Sequence, residues 1–378
     1  MRHYLKLLAL IIVSVLVFSL MTAGCSASPF SSAREDQLKI IASIYPMADF
    51  ARKIGGDHVS VVQLIPAGFE PHAWEPSTTD MKTFEEADVF IMSGAGMEMW
   101  ADKVLSSIRN PSLLTIDTSF DVPLILPGAY SLDGEEAEAD HDEAEAEHEQ
   151  DADEDHDPEN ETEEHDHDPE NETEEHDHDP ENETEEHDHD HENETEEHDH
   201  DHGSFDPHVW LDPANAKIQM KSICEAFCRA DPDHEKDYRA NYEKYAADLD
   251  ALDGEYRAAL SSVENPYIVV SHEAFGYLCK AYGLRQIPIR GISADAEPDA
   301  ARMREIIEMT GRYHVRVIFF EALGSPKVAE AIARETGCET KALHPIGGLT
   351  QEQIDAGEDY FSIMRSNLEA LNYALTLE

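Results

Sequence analysis

Residues 133–203 give a fold nothing to build with, so whatever structure this chain has must come from the stretches on either side. The window holds 39 of the chain's 82 acidic residues, 13 of its 21 histidines and no Lys or Arg. An eleven-residue unit, His-Asp-Pro-Glu-Asn-Glu-Thr-Glu-Glu-His-Asp, starts at His156, His167 and His178. It returns at His189 with His191 in the place of Pro. No apolar periodicity runs through it, so it has no face to bury and is expected to be disordered. A period this short does not make a packed solenoid. Neutral imidazoles among carboxylates would instead form many weak, exchangeable sites for Zn²⁺ or Cu²⁺, unless the window is only a solubilising loop.

Outside the window, strand and helix patterns alternate. Lys39–Tyr45, Val59–Ile65, Ala87–Met92 and Leu113–Asp117 read as apolar strands. Ser77-Thr78-Thr79-Asp80 reads as a capping box opening a helix that runs to Ala87. In the second half Tyr267–Ser271, Val315–Phe320 and Glu339–Leu343 read as strands. Ser325-Pro326 opens a helix that Gly337 closes, and Asp355–Thr376 looks helical throughout. Between the halves one helical pattern starts at Asp231-Pro232 and continues to about Val263, with Gly254 as a weak point. About thirty residues at 1.5 Å rise span ~45 Å. The expected fold is therefore α/β: two lobes, each a mostly parallel sheet flanked by helices, joined by one long rigid linker helix. The boundaries read as a leader at 1–24, a tether at 25–37, a first lobe at 38–230 carrying the insert, the linker at 231–263 and a second lobe at 264–378.

The formal charge of −55 misleads as a global property. Outside the insert 43 acids face 27 bases, so the folded part is an ordinary acidic protein. It lacks the basic footprint that nucleic-acid binding needs. Arg2 and Lys6 precede an apolar stretch, Leu7–Leu20, which is short for a membrane span. Thr22-Ala23-Gly24-Cys25 follows and resembles a bacterial lipoprotein signal, with Cys25 as the lipidated residue. Thr22 departs from the usual aliphatic residue, and a plain secretory leader is the alternative. Either one directs the chain out of the cytoplasm. There, disulfides are permitted among Cys224, Cys228, Cys279 and Cys338. Cys224 and Cys228 lie awkwardly for a bridge on one helix. Cys279 and Cys338 are candidates to pair, and buried thiols are an equal alternative.

Four histidines outside the insert sit in short motifs flanked by Pro or acid: Glu70-Pro71-His72, Asp206-Pro207-His208, Ser271-His272-Glu273 and Leu343-His344-Pro345. His72 and His272 follow strands, at the edge where α/β sheets bind ligands. Asp206 is placed to hold the second ring nitrogen of His208, and Glu321, ending a strand, is a candidate for similar support. Three or four converging imidazoles suit zinc better than calcium, magnesium or manganese, which prefer oxygen. Trp74 and Trp210 are candidates to wall such a site, while His58, His234 and His314 read as surface or strand-end residues.

Longer motifs carry a family likeness. Pro66-Ala-Gly-Phe-Glu-Pro-His-Ala-Trp-Glu-Pro-Ser77, the acidic His-rich insert, Asp206-Pro-His-Val-Trp-Leu-Asp-Pro213, Val269-Val-Ser-His-Glu-Ala-Phe-Gly-Tyr277 and Ile318-Phe-Phe-Glu-Ala-Leu-Gly-Ser-Pro-Lys-Val-Ala-Glu330 cover nearly the whole mature chain. Together they resemble the solute-binding lipoproteins of ABC metal importers, specifically the zinc branch (ZnuA/AdcA type). The resemblance implies one Zn²⁺ held between two lobes, with ligand roles for His72, His208 and His272. It also implies an ABC transporter permease as partner, a lipid anchor in the membrane and a monomeric protein that is not an enzyme. Manganese members place a carboxylate where this chain has His272. Family members commonly draw a fourth ligand, a carboxylate, from the segment that here reads Ala342–Thr350, which contains no Asp or Glu. His344, Glu70 or water is left to complete the shell. The rival readings are a manganese carrier, a surface adhesin with a structural metal, and a metallohydrolase. The last lacks a second His four residues after His272 and so lacks the helical zinc-protease motif.

Overall fold

The computed structural model describes residues 28–132, 205–292 and 297–376. The leader, Cys25 and the acidic insert fall outside these residues. The described parts contain two four-stranded, all-parallel sheets. The first has the order β2-β1-β3-β4, built from β1 (Leu38–Ala42), β2 (Val59–Gln63), β3 (Val89–Met92) and β4 (Leu114–Asp117). The second has the order β6-β5-β7-β8, from β5 (Tyr267–His272), β6 (Arg285–Arg290), β7 (Val317–Phe320) and β8 (Glu339–Ala342).

Near-continuous apolar strands suit sheets covered on both faces. In β1 and β3, Ile40, Ala42, Val89 and Ile91 face one core, while Ile41 and Phe90 face another with Phe84 and Val104. In β5, Ile268 and Val270 join that same first core, and Val269 turns to a separate cluster with Ile287 and Ile318. One apolar core thus runs beneath both sheets. It is filled by α1 (Tyr45–Gly55), α4 (Pro213–Ala230), α5 (Glu235–Leu260) and α10 (Tyr360–Thr376), which bury Phe50, Phe227, Tyr256 and Met364 there. The other helices are α2 (Thr78–Glu86), α3 (Ala101–Leu105), α6 (Gly276–Tyr282), α7 (Ala300–Arg312), α8 (Lys327–Thr336) and α9 (Gln351–Asp355). No helix among the described residues is long and apolar enough to cross a membrane.

Several elements differ from their sequence patterns for local reasons. The first strand stops at Ala42, and Tyr45 opens α1, because Pro46 fits a first helical turn. Strand β6 gives little sign of itself in sequence because Pro288 interrupts it. Proline is tolerated there because β6 is an edge strand. The linker helix begins only after a 3₁₀ turn at Pro232–His234 and covers 26 residues, about 39 Å, unbroken by Gly254. The capping box forms at α2, where the Ser77 N–H donates to Asp80 Oδ2 at 2.7 Å. At α8, by contrast, Pro326 itself holds the cap position and Ser325 makes no capping bond. The stretch from Asp355 is not one continuous helix: α9 ends at Asp355 and α10 begins at Tyr360. Gly357 turns the chain at φ +77°, and Asp359 and Ser362 exchange side-chain and backbone bonds to start α10.

All four described cysteines are free. Cys279 lies in the shared core and Cys338 against the opposite face of the second sheet, so the pairing left open by sequence does not form.

Candidate metal centre

Three histidines meet where strands end. His72 sits in the 3₁₀ turn Pro71–Ala73 in the connection after β2. His272 is the last residue of β5. His208 caps the 3₁₀ turn Val209–Leu211, and Asp212 with Pro213 then opens α4. His208 and His272 are buried and His72 is half-buried. The Nε2 atoms of His72 and His208 are 3.1 Å apart, and those of His272 and His208 3.3 Å apart. Each histidine offers a ligand atom within 4.8 Å of the other two. For zinc at 2.0–2.1 Å from nitrogen, the edge of a coordination tetrahedron is about 3.3 Å. Two of the three nitrogen pairs, both involving His208, thus stand at the separation a single zinc ion would impose.

The other ring nitrogens explain why the Nε2 atoms converge. Asp206 Oδ1 accepts from both the backbone N–H of His208 (3.0 Å) and its Nδ1 (2.9 Å). Glu321, just past β7, takes the Nδ1 of His272 at 2.5 Å. Both bonds orient the rings and leave the Nε2 lone pairs facing inward. Two lone pairs in contact in a buried place repel unless a cation or a proton lies between them.

The titration of these groups follows from their surroundings. Burial drives His208 well below its ordinary value, and charge on His272 pushes the same way. Burial also works to lower His272, but the charge and hydrogen bond of Glu321, with the charge of Glu70, outweigh it and hold that imidazole up. Burial raises Asp206 to about 7. Burial would raise Glu321 too, but His272 and Arg290 keep it below the usual carboxylate range.

The pocket is walled by Pro71, Met97, Trp210, Leu323 and Pro345, with Glu70 and Glu321 as its carboxylates. Trp210 is fixed at both ends. Its Nε1 donates to the Pro345 carbonyl at 2.7 Å, and its own carbonyl accepts the Tyr360 hydroxyl at 2.7 Å. Trp74 does not wall the site and instead packs edge-on against Trp100. His344 is buried but stands outside the group of three. Its Nδ1 accepts the Ile346 N–H at 2.9 Å and its Nε2 faces Gln353 Oε1 at 3.4 Å. His58 and His234 stack on each other elsewhere, with ring centroids 3.9 Å apart, and His314 is exposed.

Sequence patterns do not point to Met97, Arg290 or Gly276 as parts of this centre. Met97 lies in a turn with no apolar periodicity, Arg290 ends the edge strand that Pro288 hides, and Gly276 matters only through the space it leaves beside Asp206.

Known proteins resemble this chain along its length. It is 32% identical over 362 residues to the "High-affinity zinc uptake system protein ZnuA" of Bacillus subtilis (strain 168), covering 95% of each chain. It is 32% identical over 359 residues to the "Zinc-binding lipoprotein AdcA" of Streptococcus pneumoniae, but spans only 60% of that protein. Its fold matches the crystal structure of the Zn(II)-bound ZnuA-like domain of S. pneumoniae AdcA with a TM-score of 0.64 and 28% identity, covering 90% of this chain and 99% of that one. A family model described as "Zinc-uptake complex component A periplasmic" matches residues 40–374, and the chain belongs to that family, ZnuA.

Proposed function

We propose that this protein captures Zn²⁺ outside the cytoplasm on His72, His208 and His272 and delivers it to an ABC permease for import. The observation that carries the reading is the approach of the His72 and His272 Nε2 atoms to that of His208, at 3.1 and 3.3 Å, with two of the rings steered by buried carboxylates. Family membership supports the transport role, and no catalytic step is assigned to the site. Three nitrogen ligands favour zinc over manganese on ligand softness.

In this reading Glu70 or a water molecule fills the fourth position. Glu70 lines the pocket and its charge acts on His272, whereas both ring nitrogens of His344 already face other partners. Cys25 carries the lipid anchor, the protein works as a monomer, and the lobes divide at the 231–263 linker.

The test is the zinc content of protein lacking 133–203, with and without further substitution. One tightly held ion is expected in the deleted protein and in its His344→Ala form, and none in its His208→Ala form. Loss of the ion in the His344→Ala form would make His344 the fourth ligand. A deleted protein that holds no zinc would end the transport reading. Zinc that stays bound against a chelator over days would favour a structural metal, as in an adhesin.

A further inference from the structure

Met97 reaches the pocket from an unusual turn. After β3 the chain runs Ser93-Gly94-Ala95-Gly96-Met97-Glu98-Met99-Trp100. Gly94, Ala95 and Gly96 have φ of +82°, +52° and +86°, three successive residues in the left-handed region. Ala95 has a Cβ and is strained there. Such a turn persists only when its surroundings over-determine it.

Glu98 supplies most of that determination. Its carboxylate folds back on its own loop and is buried. Oε1 accepts the Ser93 N–H at 2.9 Å and the Ser43 hydroxyl at 2.5 Å, and Oε2 accepts the Gly94 N–H at 3.0 Å. Ser43 follows β1 and Ser93 follows β3, so one side chain pins the turn to the ends of two adjacent strands. The Ala95 N–H is held separately by Ser119 Oγ at 3.0 Å. The outcome is a buried Met97 thioether in the wall of the pocket that holds the three imidazoles.

We infer that Glu98 is a positioning residue for metal choice: it holds the turn that sets Met97 against the ion, and Met97 keeps additional water out of the coordination shell. This inference rests on the zinc reading above. An apolar wall leaves a four-coordinate ion such as Zn²⁺ content, whereas Mn²⁺ needs more oxygen ligands than the pocket then admits. The bonds of Glu98 go to Ser43, Ser93 and Gly94, so its effect on the ion passes through the turn and Met97.

The experiment uses the full chain loaded with one equivalent of Co²⁺, whose visible bands are intense when four-coordinate and weak when water joins. Zn²⁺ and Mn²⁺ affinities are measured alongside by chelator competition. Wild type, Met97→Ala, Glu98→Ala and Glu98→Gln are compared. Gln keeps the length and one acceptor but turns an N–H toward the Gly94 N–H, so its effect should be partial. The bands should weaken in Met97→Ala and Glu98→Ala, with zinc affinity falling about tenfold and manganese affinity not falling. General damage to the fold would lower both affinities together and would count against the inference. Unchanged bands and an unchanged zinc-to-manganese ratio would overturn it. So would a change in Glu98→Ala that Met97→Ala fails to reproduce. A wild-type protein that takes up no tight zinc would instead defeat the transport reading beneath it.

Discussion

A single oxygen, Asp206 Oδ1, fixes both the backbone and the ring of His208, and Glu321 fixes the ring of His272. Zinc and protons then compete for the same inward-facing nitrogens. Glu321 and Glu70 hold His272 above its ordinary value, so proton competition at that ring begins at a higher pH than for a free imidazole. Binding must displace the proton, so zinc affinity should rise with pH and level off once His272 is neutral. Below that point each displaced proton costs up to about 1.4 kcal/mol per pH unit. Calorimetry at pH 5.5 and 7.5 should show distinctly weaker binding at the lower value, and equal affinities would contradict the competition. The three clustered histidines were legible in the sequence because each sits in a motif with its own chemical logic. His344 shows the limit of such reasoning. Its motif resembles the others, but it stands outside the group of three, with its Nδ1 accepting the Ile346 N–H two residues on, where the backbone takes φ +61°, a conformation no spacing rule foretells.

At the scale of elements, helix α6 begins against the metal centre. A Cβ on Gly276 would lie 2.4 Å from Asp206 Oδ2 and 3.0 Å from Ile125 Cδ1. Alanine is by itself the better helix former, by about 1 kcal/mol. Gly276→Ala should therefore harm the site more than the helix. We expect a loss of zinc affinity of roughly 10- to 100-fold, as for displaced partners of ligand imidazoles. The helical circular dichroism should not change. Full affinity in Gly276→Ala would show that Asp206 has room to move without turning His208. Elements proved readable where patterns were strong, as with the capping box at Ser77 and the long α5. They were less so where a proline sits on an edge strand, or where a glycine restarts a helix between Asp355 and Tyr360. In both cases the deciding information lies in neighbouring elements.

Across the whole molecule, the described margins of the insert are tied down by backbone hydrogen bonds. Gln286 of β6 exchanges backbone bonds with the 130–132 segment, donating to the Tyr130 carbonyl at 3.0 Å and accepting the Leu132 N–H at 2.9 Å. The Asp206 N–H donates to the Ile125 carbonyl at 2.9 Å. The margin at 205–206 therefore lies beside His208, and that at 130–132 lies along β6. Excising 133–203 removes acidic residues without cutting any of these contacts, and a short join should close the gap at small entropic cost. The shortened protein should melt like the parent in the absence of zinc and keep one tight site while losing the weak ones. A tight site that vanishes with the insert would show that the two are not separable.

The apolar mass beneath both sheets has a mechanical corollary. Parting the halves would bring its lining to water at about 2.5 kcal/mol for every 100 Å² uncovered. Backbone bonds from Tyr45 to Gly347 and from Gly68 to Leu349 would break as well. A molecule joined in this way does not yawn open to surrender its cargo. Displacing only the short connections that carry Glu70 and Pro345, both in the lining of the pocket, would be the cheaper way to uncover it.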